Sequence, residues 1–190
     1  KYPATSLSEL ISNFTGTYDG QGYSIKGFDV SIESSESPVG IFNKVSGVKY
    51  LTENGETVIG EDGNPVVIPN IQNVTFAGCS VSSGDTSAGT GIAIGELANG
   101  ATVSNIKVTD LDAEDVEEGE EPKPSSVASN LGNVGGAIGT VTGASTVKGV
   151  TVEDTTVTAE KGSAGGAIGT VIEDTAKVTS PVVKNTTVIS

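Results

Sequence analysis

Recurrence at a fixed interval constrains this chain more than any other feature, because a repeated segment predicts a repeated structural unit. The segment Gly135–Val141, with the sequence GGAIGTV, returns thirty residues later as Gly165–Val171. Weaker copies lie at 40–45 and 92–97. The copies align as three columns: Phe42, Ile94, Ile138 and Ile168; Val45, Leu97, Val141 and Val171; and, between them, Asn43, Gly95, Gly139 and Gly169. Since Gly and Asn tolerate positive φ, the middle column predicts one backbone bend per copy.

A second block follows each copy of the first. Its third position is always Gly or Asn, with apolar residues on both sides, and its copies lie at 25–30, 71–76, 103–108, 147–152 and 183–188. A third short strand is predicted after it, at 79–81, 111–113 and 155–157. Val, Ile and Thr, which favour strands, dominate all three positions. Three short strands per unit, joined by Gly, Asn or Asp bends, predict an all-β chain that forms a single-stranded parallel β-helix of about five coils.

The length of 190 residues suits one domain, which we predict to span 1–190. Residues 1–24 are interpreted as an N-terminal cap and entry segment, and 25–190 as coils with insertions at 52–69 and 112–133. A short capping helix is predicted over 5–14, because Ser6 and Glu9 have capping-box spacing and an open first coil needs a cover. The first insertion is predicted to be a hairpin that turns at Asp62-Gly63-Asn64. Because the chain stops in mid-coil, we expect further coils or domains in the full-length protein.

The charge balance excludes several classes of partner. The chain has 24 Asp and Glu against 10 Lys, no His, and a net charge of −14. Nucleic acids and anionic membrane surfaces require clustered cations, so neither is expected as a partner. No apolar stretch of about 18 residues is present, so no membrane insertion is expected. The single cysteine, Cys79, is predicted to be a small buried apolar residue, because no cationic neighbour that would activate a thiol is evident.

The repeated segments resemble the GLUG-motif repeats of bacterial surface proteins. The residues that carry the resemblance are Gly136–Gly139, Gly166–Gly169 and the Asn-centred second blocks, and 14–27 is similar to the entry segment that often precedes such repeats. The resemblance implies a right-handed β-helix in a secreted or surface-anchored, adhesin-like bacterial protein, with an extracellular location. It brings no catalytic residues. The expected function is therefore adhesion or display by a non-catalytic module, with a glycan or a surface protein as the ligand.

The alternative is a carbohydrate-active enzyme, or an accessory domain of one, of the pectate-lyase-like β-helix type. A glycoside hydrolase needs two carboxylates about 5–10 Å apart on one face. The first-strand column supplies only Glu96, whose neighbours in the column are Lys44, Thr140 and Thr170. No catalytic residue is therefore predicted, and fold alone does not decide between the two functions.

Candidate ligand-binding residues are Asp62, Asn64 and Glu96. No cofactor is predicted, although the acidic run in the second insertion is a weak candidate calcium site, because calcium favours several carboxylates on a flexible loop. The residues considered for it are Asp112, Glu114, Asp115, Glu117 and Glu118.

The position of the two insertions predicts where a ligand would lie. With the strand assignment above, the two insertions leave from the two corners that flank the sheet of first strands. Loops on both edges of a sheet form a trough, and binding residues are often found on loops carried by a rigid scaffold. The outward positions of that sheet are predicted to be small, namely Ala93, Ala137 and Ala167, so a partner could approach closely.

Overall fold

The computed structural model describes residues 2–4, 10–34, 36–85, 88–112, 114, 116, 121–173 and 175–190. These residues contain no helix, and their strands are mostly parallel and lie in stacked sheets. The fold is therefore all-β, in an arrangement compatible with a β-helix. Successive repeats contribute strands to each of three sheets, which we name the first-strand, second-strand and third-strand sheets. In the second-strand sheet, two short strands stand in place of one long strand at each end of the chain.

The strands are numbered in chain order. The first-strand sheet consists of β2 (Ile11–Phe14), β6 (Phe42–Ser46), β14 (Ile94–Ala98), β18 (Ile138–Val141) and β22 (Ile168–Val171). The second-strand sheet consists of β3 (Tyr18–Asp19), β4 (Ser24–Lys26), β11 (Ile71–Ala77), β15 (Thr102–Thr109), β19 (Thr146–Glu153), β23 (Lys177–Thr179) and β24 (Val182–Lys184). The third-strand sheet consists of β1 (Tyr2–Ala4), β5 (Phe28–Ser34), β12 (Ser80–Asp85), β16 (Ser125–Ser129), β20 (Thr155–Ala159) and β25 (Thr187–Ile189).

Smaller strands complete the fold. Just before the first strands lies a sheet of β13 (Thr90–Gly91), β17 (Val134–Gly135) and β21 (Ala164–Gly165). The antiparallel pairs belong to the first insertion, and they are β7 (Lys49–Tyr50) with β10 (Val67–Ile68), and β8 (Thr52–Glu53) with β9 (Glu56–Thr57). All other described strand pairs are parallel, as stacking of successive repeats requires.

The core is built from the columns that the repeat predicts. Phe42, Ile94, Ile138 and Ile168 are successive partners in the first-strand sheet, and the first three are almost fully buried. Ile71, Val103 and Val147 form a second buried column in the second-strand sheet. Both predictions are confirmed for these residues. Every repeat buries the apolar side chains of its parallel strands away from water. The hydrophobic free energy of this burial is the main contribution to the stability of such a stack.

The predicted N-terminal helix is wrong where the structure describes it, and its residues 5–9 lie outside the described residues. Ile11–Phe14 is strand β2, which pairs with β6 so that Ile11 is opposite Phe42 and Phe14 is opposite Val45. The apolar spacing of this segment suits a helix, but it also matches the first-block spacing of 41–45. Pairing with the next repeat satisfies the backbone and brings the Phe14 and Phe42 rings to 5.3 Å, so tertiary context overrides local preference.

The sequence places the second-block copies at 25–30 and 183–188 in the wrong register with the other copies. Ile25 is opposite Phe76, not Ile71, and Val183 is opposite Val152, not Val147. The second strands carry left-handed bends at two positions five residues apart, and both positions are occupied mainly by Gly, Asn or Asp. One set is Asn73, Asn105, Gly149 and Ser180, and the other is Gly27, Gly78, Asp154 and Asn185. Because the two bends have the same residue preference, the sequence alignment placed Gly27 and Asn185 in the wrong set.

The third strand predicted at 111–113 is also wrong where the structure describes it, at Leu111 and Asp112, and residue 113 lies outside the described residues. The strand that pairs with β12 and β20 is β16, at Ser125–Ser129. Leu111 and Lys123 instead form an antiparallel bridge, in which each backbone N–H donates to the other's carbonyl oxygen at 2.8 and 3.0 Å. The second insertion therefore spans 112–122 rather than 112–133, and it leaves the fold between a second and a third strand.

The Gly and Asn column of the first block has a different cause from the one predicted. Gly139 and Gly169 lie in strands and are not at positive φ, whereas Asn105 is, with φ of 51°. A Cβ on Gly139 would lie 2.5 Å from the carbonyl carbon of Gly89 and 2.7 Å from the carbonyl oxygen of Gly95. The column is glycine because backbones of neighbouring repeats approach too closely for a side chain. Asn43, at the first position, accepts a hydrogen bond from Gly40 N at 3.4 Å.

Candidate functional site

Both insertions flank the second-strand sheet, not the first-strand sheet as predicted. The first leaves between β6 and β11, and the second leaves between β15 and β16. The alanines expected on the outer face of the first-strand sheet, Ala93, Ala137 and Ala167, are buried in the core instead. The predicted trough therefore lies over the second-strand sheet instead of the first-strand sheet. The reason is that β16, the third strand of the repeat that carries the second insertion, comes after that insertion and not before it.

The first insertion forms an antiparallel platform, which we call the hairpin platform (residues 49–68). Its base is the pairing of β7 with β10, which sets Tyr50 opposite Val67. The chain then folds back twice, with hydrogen bonds from Leu51 N to Val66 O at 2.8 Å and from Val58 N to Leu51 O at 2.9 Å. Ile59 and Pro65 close the outer turn as an antiparallel bridge, which confirms the predicted hairpin.

Asn70 anchors the base of the hairpin platform. Its side chain is fully buried at the corner between first and second strands. The amide nitrogen donates to Gly16 O at 3.2 Å and to Gly47 O at 3.1 Å, and the amide oxygen accepts from Thr102 N at 2.9 Å. One side chain thus ties three successive repeats together where the platform leaves the sheet. Its backbone also donates to Thr102 O at 2.6 Å, which fixes the same corner.

Under the hairpin platform lies a groove of about 310 Å³, which we call the platform groove. One wall comes from the base of the platform, and the other from the corner and second strands of the next two repeats. The lining residues are Val48, Tyr50, Val67, Pro69, Gly100, Thr102, Ala144, Thr146 and Lys148. Ligand sites in proteins occupy about 300–1,000 Å³, so the groove could hold one small ligand or one unit of a longer chain.

The two walls of the platform groove differ in chemistry. Val48, Tyr50 and Val67 are each between about a third and a half exposed, so they present an apolar surface to the groove. The opposite wall carries two threonines and the ammonium group of Lys148. None of the nine lining residues is acidic, although the chain has 24 Asp and Glu. The groove therefore combines an apolar surface with hydroxyl groups and one cation.

The rest of the second-strand sheet is lined by polar side chains that bond one another from repeat to repeat. Asn105 donates to Asn73 at 2.9 Å, and Asn73 donates to Asp19 at 3.1 Å. Gln72 donates to the second oxygen of Asp19 at 2.9 Å. The pKa of Asp19 is lowered, chiefly by the Gln21 backbone N–H and then by the Asn73 side chain, because these donors favour the ionised carboxylate.

An ion triad lies at the other end of the second strands. Glu153 accepts from Lys107 at 2.8 Å and from Lys184 at 2.7 Å. Hydrogen bonds from these two ammonium groups lower the pKa of Glu153 to about 2. Glu153 is therefore held as a carboxylate at all physiological pH values and is unsuited to donate a proton.

The predicted binding residues do not form one site. Asp62 and Asn64 lie together at the outer turn of the hairpin platform, where Asp62 accepts from Asn64 N at 3.0 Å and from the Asn64 amide at 3.1 Å. These bonds, the backbone one first, lower the pKa of Asp62. Glu96 lies on the first-strand sheet and forms an ion pair with Lys44 at 3.1 Å. None of the three residues lines the platform groove.

Of the residues in the acidic run, Asp112 and Glu114 are described and exposed, whereas Asp115, Glu117 and Glu118 lie outside the described residues. Burial, and then the charge of Asp112, raise the pKa of nearby Asp110. In the described part of the chain, no three His, Cys, Asp or Glu side chains gather as a ligand set for a metal ion. The calcium site stays a prediction.

Cys79 is fully buried, and its backbone N–H donates to Ser125 Oγ at 3.1 Å. Burial raises the pKa of its thiol to about 11, so the sulfur is protonated and unreactive in the folded chain. Its position as a small buried residue agrees with the prediction from sequence. The neighbour in its column is Ser125, however, not Leu111.

The sequence reasoning missed the platform groove, because the groove joins residues 48–69 to residues 100–148. A signal was present in the alternation of Val48 and Tyr50 around Lys49, which is typical of a strand with one apolar face. Among the described residues, no helix has the length and apolarity needed to cross a membrane. Comparison of the chain with known protein families, curated proteins and solved structures found no match.

Proposed function

We propose that this chain is a non-catalytic binding module, built on a right-handed parallel β-helix of about five coils, in a secreted or surface-anchored bacterial protein. Its work is adhesion or display, and its ligand is a glycan or a surface protein. The observation that carries the proposal is the platform groove, where a half-exposed apolar wall faces a polar sheet edge.

Two features support the β-helical part of the proposal. Successive repeats give strands to three parallel sheets in turn, in the order expected for a chain that winds around a common core. The residues of the first block that resemble GLUG repeats occupy the tightest part of this winding, where Gly135 and Gly139 face the backbone of adjoining strands. The bacterial surface location follows from that resemblance.

The binding role is favoured over catalysis by the state of the described carboxylates. Asp19 and Glu153 on the second-strand sheet are held by hydrogen bonds and ion pairs that lower their pKa values, and Asp110, whose pKa is raised, does not line the platform groove. A general acid for glycoside cleavage needs the opposite shift. The platform groove itself is lined by no carboxylate. A carbohydrate-active enzyme, or its accessory domain, remains the second candidate because the fold suits both.

The test is a pair of shortened proteins. In one, a Gly-Ser link replaces residues 49–68, which removes the hairpin platform and retains Asn70. In the matched control, the same link joins Leu111 to Lys123 and removes the second insertion. Both proteins are checked for a cooperative thermal transition and applied, with the original chain, to glycan and surface-protein arrays.

We expect binding to fall by about tenfold or more when the platform is removed, because loss of one wall removes most of the buried ligand surface. Removal of the second insertion should leave the affinity within about twofold. Unchanged affinity without the platform would refute the assignment of binding to this face. Release of shortened or unsaturated sugars from any bound glycan would favour the enzyme instead.

A further inference from the structure

We infer that the platform groove binds a carboxylate-bearing sugar, such as a uronic or sialic acid unit of an acidic glycan. This inference rests on the proposed binding function and names the class of ligand for it. Three properties of the groove favour such a ligand: its charge, its apolar wall and its size.

The charge of the groove is opposite to that of the chain. Lys148 lies on β19 with its side chain exposed, and none of the described carboxylates forms an ion pair with it. By contrast, Lys44, Lys107, Lys123 and Lys184 are each held by an Asp or Glu. In a chain with a net charge of −14, an unpaired ammonium group beside a cavity without acids is a local site for an anion.

The overall negative charge does not prevent this recognition. At physiological ionic strength the Debye length is about 8 Å, so exposed acids farther away are largely screened. Glu153, an acid of the same sheet, forms ion pairs with Lys107 and Lys184. Among the nine lining residues, Lys148 is the one that carries a charge, so an anion in the groove can contact its ammonium group.

The opposite wall is suited to the face of a sugar ring. Tyr50 is 45% exposed and lies opposite Val67, which is 48% exposed. A tyrosine ring offers a broad apolar face with a hydroxyl at its edge, and so it can cover the C–H face of a pyranose while its hydroxyl meets the ring substituents. The hydroxyl groups of Thr102 and Thr146 on the facing wall supply matching polar partners.

These properties together favour an acidic sugar over other small ligands. A purely apolar ligand would leave Lys148 and the threonine hydroxyls without partners, and a simple inorganic anion would not cover the apolar wall of Val48, Tyr50 and Val67. A sugar with a carboxylate satisfies both walls at once. The volume of about 310 Å³ suits one or two rings, with the rest of a glycan chain outside.

The experiment compares acidic sugars with neutral counterparts of the same shape. Binding of tetragalacturonate and its carboxyl-reduced form, and of sialyllactose and its carboxyl-reduced form, is measured by calorimetry on the whole chain. The variants are Lys148→Gln and Tyr50→Ala, with Lys49→Gln as the control, because Lys49 precedes Tyr50 but does not line the groove. Thermal midpoints establish that each variant is folded.

We expect at least one acidic sugar to bind about tenfold more tightly than its neutral counterpart, as one charge-assisted hydrogen bond would provide. Lys148→Gln should remove that preference, Tyr50→Ala should weaken both members of the pair, and Lys49→Gln should change neither. Failure of both acidic sugars to bind, or an acidic preference that survives Lys148→Gln, would overturn the inference.

The two proposals fail in distinguishable ways. If a neutral glycan or a protein binds and loses affinity when the hairpin platform is removed, but Lys148→Gln has no effect, then the binding module stands and the acidic ligand is refuted. If removal of the platform changes the binding of no ligand, both are refuted.

Discussion

The glycine column of the first block gives the sharpest test of how this fold is held together. Gly139 and Gly143 lie four residues apart, and glycine is required at each for a different reason. Gly139 has no positive φ, but a Cβ there would be 2.5 Å from Gly89 C and 2.7 Å from Gly95 O, and closer still to Thr90 N. Gly143 has a φ of 61°, and the nearest atom to its Cβ would be Asn99 N at 3.5 Å. Replacing each glycine with alanine therefore distinguishes the cost of a steric clash, at Gly139, from the cost of a left-handed backbone, at Gly143.

The expected magnitudes differ because the two costs differ. At Gly143, a left-handed alanine costs about 1–2 kcal/mol, and reduced freedom of the unfolded chain returns about 0.4–1 kcal/mol. The net loss at Gly143 should be about 1 kcal/mol. At Gly139, the contacting atoms are backbone atoms of the previous repeat, so two repeats must separate locally. Overpacking of a core costs about 1–3 kcal/mol and more where backbone must move, so we expect about 3 kcal/mol or more.

The assay is thermal unfolding followed by far-UV circular dichroism. For a chain of this size, 1 kcal/mol lowers the midpoint by about 2–4 °C, so Gly143→Ala should lower it by about that amount and Gly139→Ala by roughly three times as much. If Gly139→Ala is the milder of the two, close approach of the repeats is not the reason for glycine in this column, and the argument from space is refuted.

The remaining predictions concern the core, the corner, the ion triad and the thiol. Ile138→Ala should destabilise the fold by about 2–4 kcal/mol, measured by urea unfolding, because it opens a cavity in a fully buried column. Asn70→Ala should cost about 3 kcal/mol in the same assay, about 1 kcal/mol for each of three hydrogen bonds, and a loss below 1 kcal/mol would show that the corner does not depend on it. Since the pKa of Glu153 falls from 4.5 to about 2 on folding, the stabilisation of the fold by this carboxylate is complete above pH 4.5 and disappears as the pH falls towards 2. The difference in the free energy of unfolding between the original chain and Glu153→Gln should therefore shrink across that range. A difference that stays constant would contradict the assignment. Cys79 should resist a thiol reagent at pH 8 until urea unfolds the chain, and rapid labelling of the folded protein would show that it is accessible.

Much of the fold could be predicted because it depends on local, repeated patterns. Columns such as Phe42, Ile94 and Ile138 identify the core directly, since each repeat must bury the same face against its neighbours. The hairpin turn at Asp62-Gly63-Asn64 also follows from local turn chemistry, and Gly63 has the positive φ that the turn requires.

The errors occurred where two local solutions have the same sequence pattern. Leu10, Ile11 and Phe14 fit either a helix or the first strand of a repeat, and pairing with β6 decides between them. Gly27 fits either bend of a repeat, and only the pairing of Ile25 with Phe76 shows which one it occupies. Hydrogen bonds between repeats carry this information, and the strands they join are about thirty to fifty positions apart.

By itself, the sequence determined that the chain repeats, that its strands are short and rich in Val, Ile and Thr, and that Phe42, Ile94 and Ile138 form one column of the core. Only the tertiary structure decided which sheet lies between the two insertions, because the strand at Ser125–Ser129 is recognised by its partners in neighbouring repeats. That one assignment moves the candidate site to the second-strand sheet. The platform groove likewise exists only in the folded chain, because its apolar wall near Tyr50 and its cation at Lys148 are nearly one hundred residues apart and meet through the stacking of repeats.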